Sequence, residues 1–245
     1  MSRVQRVALI TGAARRIGAA IAKRLHEAGF DLVVHGYHSA DELRALADAL
    51  QTHRRDSVLT VQADLRNGEC LPELVAKTID RFGRLDALVN NASGFYPTPL
   101  AEVTAPQWDE LFAVNARAPF FLIREAAPYL RASRGAIVNL TDIYAARPLR
   151  DHAVYSAAKA ALVMLTRSLA LDLAPHVRVN GIAPGAILWP QQGTTEVAKQ
   201  ALLARTPLGR IGTVEEIAET ARWLLQDAGF MTGQILEVDG GRQLT

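Results

Sequence analysis

Short, almost continuously apolar runs alternate with helical patterns from one end of this 245-residue chain to the other. The runs are Val7–Thr11, Leu32–His35, Val58–Gln62, Ala87–Asn90, Ala136–Leu140, Val177–Ile182 and Gln234–Val238. Few of them alternate between apolar and polar residues as a half-exposed strand does. A strand apolar at nearly every position must be buried on both faces, which is the environment of parallel strands covered by crossover helices. Between the first two runs, Ile17, Ala20, Ile21, Leu25 and Ala28 recur at helical spacing, and Gly29 can end that helix. Repeated β–α units with short joints predict one doubly wound, seven-stranded parallel sheet flanked by helices, an α/β fold spanning residues 1–245 as a single domain. One stretch interrupts the rhythm: Ala183–Thr195 is rich in Pro, Gly and Gln. Irregular segments of that length commonly act as lids, which places a substrate lid at about residues 183–205, with Trp189, Gln191 and Gln192 as lid side chains.

Composition excludes several classes of partner. The net charge of +2 is too small to predict a nucleic-acid or membrane surface, and no basic stripe is interleaved with aromatics. Cys70 is the only cysteine, so there is no intramolecular disulfide or Cys-rich zinc site, and it reads as a packing residue at a helix start. His35 and His38 lack a third ligand nearby, so no metal is expected. With no apolar run near 18 residues and a strand beginning close to Met1, the sequence predicts neither signal peptide nor membrane span, and a cytoplasmic enzyme.

The joint Thr11-Gly12-Ala13-Ala14-Arg15-Arg16-Ile17-Gly18 leads from the first strand into the first helix. Free N–H groups and the positive end of the helix dipole suit a pyrophosphate there, with Gly12 for a tight turn and Gly18 for close helix–sheet packing. The second strand ends His35-Gly36-Tyr37-His38-Ser39, without the acidic residue that would bind a ribose 2′-hydroxyl. A missing acid beside two arginines predicts NADPH, its 2′-phosphate read by Arg16, His38 and Ser39. Arg15 is either a further reader or a solvated charge at the helix start.

Farther along, Tyr155 and Lys159 stand at i and i+4, on one helix face and roughly 6 Å apart along its axis. An ammonium at that spacing favours phenolate and would bring a tyrosine's proton exchange toward neutrality. Asp142 precedes Tyr155 by thirteen residues.

The glycine-rich turn, Asn90-Asn91-Ala92, Tyr155-Ser156-Ala157-Ala158-Lys159 and Pro184-Gly185 together resemble the short-chain dehydrogenase/reductase family along the whole chain, a Rossmann-type fold. The resemblance implies that Asp64, next to Leu65, bonds the adenine amino group, the alternative being a strand-end cap. It implies that Asn91, Ala92 and Ser93 pass the cofactor ribose, as would Asn90. Ile17 would line the turn and Pro184-Gly185 would press on the nicotinamide carboxamide. Asn115 would be the structural asparagine that holds a water beneath the lysine. Two positions depart from the family pattern: Arg16 stands where a third glycine is usual, and Asp142 where serine is usual.

Those departures, with Ser93-Gly94-Phe95, are similar to pteridine reductases. That likeness implies a flat pterin stacked under Phe95, its amino–oxo edge recognised by Asp142, Ser93 and Arg16. The alternative reading of Phe95 is a loop aromatic packing over the sheet, and that of Asp142 a cap at the strand end. The function expected is NADPH-dependent reduction of dihydropterins, with dihydrofolate as a further substrate. Tyr155 is the proton donor, Lys159 lowers its pKa, and Asp142 either relays protons or stays ionised and binds the pterin edge. The alternatives are a carbonyl reductase such as a 3-oxoacyl reductase, and a non-catalytic NADP(H)-sensing protein. The helices around 107–131 and 151–174, rich in Ala, Leu and Val, predict a homo-oligomer, and the resemblance implies a homotetramer.

Overall fold

The structure, a computed structural model, describes residues 5–188 and 195–245. Seven strands form one sheet: β1 (Arg6–Ile10), β2 (Phe30–Gly36), β3 (Val58–Gln62), β4 (Ala87–Asn90), β5 (Ala136–Leu140), β6 (Arg178–Pro184) and β7 (Ile235–Val238). All neighbours pair in parallel, in the order β3-β2-β1-β4-β5-β6-β7. Eight α-helices accompany them among the described residues: α1 (Arg16–Glu27), α2 (Ala40–Gln51), α3 (Cys70–Phe82), α4 (Ala105–Phe112), α5 (Ala118–Ser133), α6 (Ala153–Leu173), α7 (Glu196–Ala204) and α8 (Val214–Gln226).

The apolar runs are double-faced because successive residues enter different cores. Ala8 and Ile10 of β1 pack with α1, α2 and α8, while Leu9 between them packs with α3, α5 and α6. Leu32 and Val34 against Val33, and Ala136 and Val138 against Ile137, divide in the same way. Strands β3, β4 and β5 keep the expected limits, and the other four begin or end one or two residues away, for local reasons. Phe30 and Asp31 join β2 because they stand in register with Arg6 and Val7. Val177 falls outside β6 because its N–H turns back to the Leu173 carbonyl. Ala183 and Pro184, expected in the irregular stretch, instead pair with Glu237 and Val238. Trp189, Gln191 and Gln192 lie outside the described residues.

The helix of 107–131 proves to be α4 and α5 joined by a π-helical stretch, Ala113–Arg117, with Asn115 at its centre. Such wide turns concentrate at functional sites because they re-aim side chains. Helix α6 has 21 residues and, over an 18-residue window, a mean hydropathy of 1.2, so by length and composition it matches a membrane span. Half of that window is buried inside the protein and the helix carries the buried Lys159, as a core helix does. Cys70 begins α3 and packs beside the core on that face.

Helix α6 is fixed to the sheet by a buried polar chain. Asn90 Nδ2 donates to Asn139 Oδ1 at 2.8 Å, and Asn139 Nδ2 donates to Thr166 Oγ1 at 2.9 Å. Asn90, expected along the cofactor path, is thereby taken into the interior. Replacing Asn139 with Leu should lower unfolding free energy by about 2–3 kcal/mol, because the Asn90 amide is stranded in the core. Urea titration should show a lower midpoint with an unchanged m value.

Candidate active site

The order of the strands reverses between β1 and β4, and the crevice beyond their carboxyl ends is where open α/β sheets hold ligands. Two side chains join the loops across it. Thr11 Oγ1 accepts from the backbone N–H groups of Asn91 and Ala92, at 3.0 and 3.1 Å. Asn91 Nδ2 donates back to the carbonyls of Thr11 and Gly12, at 2.9 and 2.8 Å. Gly12 has φ +62°, and a Cβ on it would lie 2.8 Å from Ala92 Cα. A Cβ on Gly18 would lie 2.2 Å from the Gly12 carbonyl oxygen. Neither position admits a side chain.

Arg16 adopts φ +52°, the left-handed conformation that glycine occupies without strain. An arginine there costs about 1 kcal/mol, so the backbone kept the glycine geometry while the side chain changed. Arg16 itself is exposed. It is Arg15 that reaches the end of β2: its Nη2 donates to Ser39 Oγ at 2.5 Å and its Nη1 lies 3.5 Å from Glu42. The cation nearest Ser39 is therefore the one the sequence left open. His38 is exposed, its ring 3.6 Å from that of Tyr37. No side chain caps the start of α1, so its first N–H groups face the crevice as an anion site requires. The glycine turn, the uncapped helix start and the Arg15–Ser39 pair fit a dinucleotide phosphate.

Buried His35 supports this turn from below. Its Nε2 contacts the Ala63 carbonyl at 3.0 Å and its Nδ1 lies 3.4 Å from the Gly12 N–H, so the neutral tautomer protonated on Nε2 satisfies both. Burial pushes its pKa down and keeps it neutral. Asp64 is committed to Arg66, which donates to it from backbone and guanidinium at 2.8 to 3.0 Å and holds its pKa below the usual carboxylate range. The Asp64 carboxylate thus closes a turn after β3, as the capping alternative described. Leu65 is buried in the core beside α3, and Ile17 packs against the opposite core.

On the far side of the crevice, Asp142 follows β5 and caps the short 3-10 turn Ile143–Ala145. Its Oδ1 accepts from Tyr144 N at 2.9 Å, and its Oδ2 accepts from the Tyr155 hydroxyl at 2.6 Å. Lys159, on the next turn of α6, sends Nζ to the Leu140 carbonyl at 2.8 Å and lies 5.8 Å from the centroid of the Tyr155 ring. The structure reverses the expected electrostatics of this trio. Burial, then the Asp142 charge and hydrogen bond, push the Tyr155 pKa well up, so the phenol is held protonated rather than drawn toward phenolate. Burial also raises the Asp142 pKa and lowers that of Lys159 to about 8. All three effects penalise charge in a dry site.

The loop after β4 overhangs this trio. Asn115 is fully buried, and its Nδ2 donates to the carbonyls of Gly94 and Leu111 at 3.0 and 2.9 Å while its Oδ1 accepts from Ser93 Oγ at 2.7 Å. In the structure this asparagine therefore holds the 93–94 loop, and Ser93 is turned toward it. Thr98 N donates to the Asp151 carbonyl at 2.5 Å, tying the loop to the entrance of α6. Phe95 is 55% exposed, meets the Tyr155 ring edge-on at 4.8 Å and stacks on His152 at 4.8 Å and 20°. His152 was not singled out by the sequence, and His35 only as half of a rejected metal pair. The position of His152, three residues before Tyr155, is the signal that would have found it. Pro184 and Gly185 leave β6 on the same side, where a Cβ on Gly185 would collide with Asp239 at 2.6 Å.

A family profile described as enoyl-(acyl carrier protein) reductase matches residues 12–243. Pteridine reductase 1 of Leishmania tarentolae is 36% identical, over 98% of this chain and 96% of its own. L-fucose dehydrogenase of Oryctolagus cuniculus is 36% identical, over 98% and 85%. The 3-oxoacyl-(acyl-carrier-protein) reductase FabG of Staphylococcus epidermidis is 34% identical, over 96% and 97%. Near-equal identity to reductases and dehydrogenases of different printed substrates leaves the choice of substrate to the residues of the site.

Lys159 gives the site a measurable pH signature. Its pKa falls from 10.5 in the unfolded chain to about 8 in the fold, so between those values the unfolded state binds more protons and stability rises with pH. Below pH 8 both states are charged and the burial penalty is fully present. Lys159→Met should remove from the stability profile a rise of about 3 kcal/mol between pH 8 and 10.5. Parallel denaturant titrations of both proteins across that range measure the difference.

Proposed function

Because the chain belongs to the short-chain dehydrogenase/reductase family and is an oxidoreductase of that family, we propose that it is an NADPH-dependent pteridine reductase. Its substrates are dihydropterins, with dihydrofolate as a further one, and its products are the tetrahydro forms. The observation that carries this reading is the 2.6 Å bond from Tyr155 to Asp142 beneath the half-open ring of Phe95. A protonated phenol backed by a carboxyl suits proton donation to nitrogen, and an exposed aromatic face suits a planar heterocycle. The likeness to pteridine reductase 1 supports the same substrate class. The likeness to 3-oxoacyl reductases favours a second reading, reduction of a ketone thioester.

NADPH, when bound, supplies the hydride. Gly12, Ile17 and the start of α1 would hold its pyrophosphate, Arg15 and Ser39 its 2′-phosphate, Lys159 its ribose, and Pro184-Gly185 its carboxamide. As a C=N carbon is reduced, the π electrons move to nitrogen, and Tyr155 transfers its hydroxyl proton there. Asp142, whose ionisation burial opposes, returns a proton to the phenolate. Turnover should therefore fall as pH rises and Asp142 ionises for longer. Helix α7 buries none of its residues, which supports its part in a lid. Exposed Met164, Leu171 and Tyr129 support a homotetramer built on α5 and α6.

The test is initial-rate NADPH oxidation with dihydropterins, dihydrofolate and a 3-oxoacyl thioester. Turnover confined to the thioester would discard the pterin reading. Asp142→Asn should reduce dihydropterin turnover by about a hundredfold or more, since a carboxamide cannot resupply the proton. A loss of only a few-fold would remove Asp142 from the mechanism. Arg15→Ala should raise KM for NADPH by about tenfold and leave KM for NADH unchanged, measured in the same assay.

A further inference from the structure

The tail of the chain returns to the catalytic edge of the sheet. Val238 of β7 pairs with Pro184 of β6, and the 3-10 turn Arg242–Leu244 follows immediately beyond. There Arg242 Nη2 donates to the Tyr144 hydroxyl at 3.4 Å, and the Arg242 carbonyl accepts from Arg147 Nη1 at 3.0 Å. Tyr144 is two residues from Asp142 and packs in the small cluster that contains Tyr155, Tyr96 and Leu111. The Arg242 side chain therefore stands beside Tyr144, and its charge draws the Asp142 pKa down, a smaller effect than burial. Its Nη1 is buried with no acceptor. A guanidinium N–H left without an acceptor in a dry place costs free energy, which a ligand oxygen placed there would restore on binding.

We propose that Arg242 is a substrate-binding residue whose Nη1, beside the Tyr144 hydroxyl, donates to an oxygen of the ligand held at Asp142. This inference rests on the reading of the site as a pterin site and adds the residue that recognises the ligand's acceptor. Both Asp142 carboxyl oxygens accept hydrogen bonds in this structure, so the residue serves the amino group of a heterocycle. The neighbouring oxygen needs a donor, and a fixed cation supplies one without the rotational freedom of a hydroxyl. Two ligand oxygens share this chemistry: the carbonyl of the pterin ring, and the carboxylates of the dihydrofolate tail. Arg147, which grips the Arg242 backbone, sets the position of the turn and leaves the guanidinium free to aim inward.

The experiment compares kcat and KM of the wild type, Arg242→Gln and Arg242→Lys on a dihydropterin without an acidic tail and on dihydrofolate, with thermal unfolding of each protein alongside. Arg242→Gln should raise KM by about tenfold with kcat changed only a few-fold, the size expected for a lost charge-assisted hydrogen bond. Its melting temperature should stay at or above that of the wild type. Arg242→Lys should recover part of the KM. An equal rise on both substrates identifies the ring carbonyl, and a rise confined to dihydrofolate identifies the tail carboxylate. Unchanged KM on both overturns the proposal, as does a joint loss of kcat and melting temperature, which would mark a structural arginine. Should the wild type reduce only the thioester, the pterin reading falls by itself. The same KM comparison on the thioester carbonyl then decides Arg242 by the same criterion.

Discussion

Two side chains, Thr11 and Asn91, hold the site closed at the centre of the sheet. Between them they satisfy two backbone N–H groups and two carbonyls at the point where the chain order of the strands reverses. Backbone groups at the end of a parallel sheet have no ladder partner, so an unbridged crevice would leave them to water. The bridge brings the turn after β1 within contact of the loop after β4, and that closeness excludes a Cβ at Gly12 and Gly18. It also fixes the direction of the 91–99 loop, and through that loop the height of Phe95 above Tyr155. The phosphate side and the substrate side are thus set by one small hydrogen-bonded unit.

Around that unit the protein keeps three titratable groups nearly out of water: Tyr155, Lys159 and Asp142. The Tyr155 hydroxyl donates to Asp142, and the Lys159 ammonium to the Leu140 carbonyl. Each is held toward its neutral form, the state in which a proton can be given and taken back without building charge in a dry cavity. The fold tolerates this through buried polar anchors elsewhere. Asn90, Asn139 and Thr166 pin α6 to the sheet, and Arg178 donates to the last carbonyls of α8 at Leu224 and Leu225 and to that of Ala228. Strain is local, and Arg16 in the left-handed region is its plainest instance.

The departures between sequence and structure share a cause. Arg15 and Arg16 are adjacent and chemically identical in sequence, and only the left-handed turn at Arg16 decides that Arg15 swings to Ser39. Tyr155 and Lys159 have the spacing of a phenolate pair, but burial, and then the Asp142 carboxyl bonded to the hydroxyl at 2.6 Å, push the tyrosine pKa up, so the sign of the effect is inverted. Asn90 and Asn91 are neighbours of one type, yet strand alternation sends one into the interior and the other to the crevice. Asp64 kept its predicted place after β3 but is engaged by Arg66, two residues on.

The sequence by itself determined the sheet, since residues apolar on both faces can only be buried between two helical layers. It also determined the site's constituents, because Asp142, Tyr155, Lys159 and the glycine turn have fixed places on those elements. Their protonation, the arginine that meets Ser39, the loop held by Asn115, the stacking of His152 on Phe95 and the return of Arg242 to Tyr144 were decided only in three dimensions. Burial and the nearest charge set a pKa or choose a partner, and both depend on distances of a few ångströms between residues far apart in the chain.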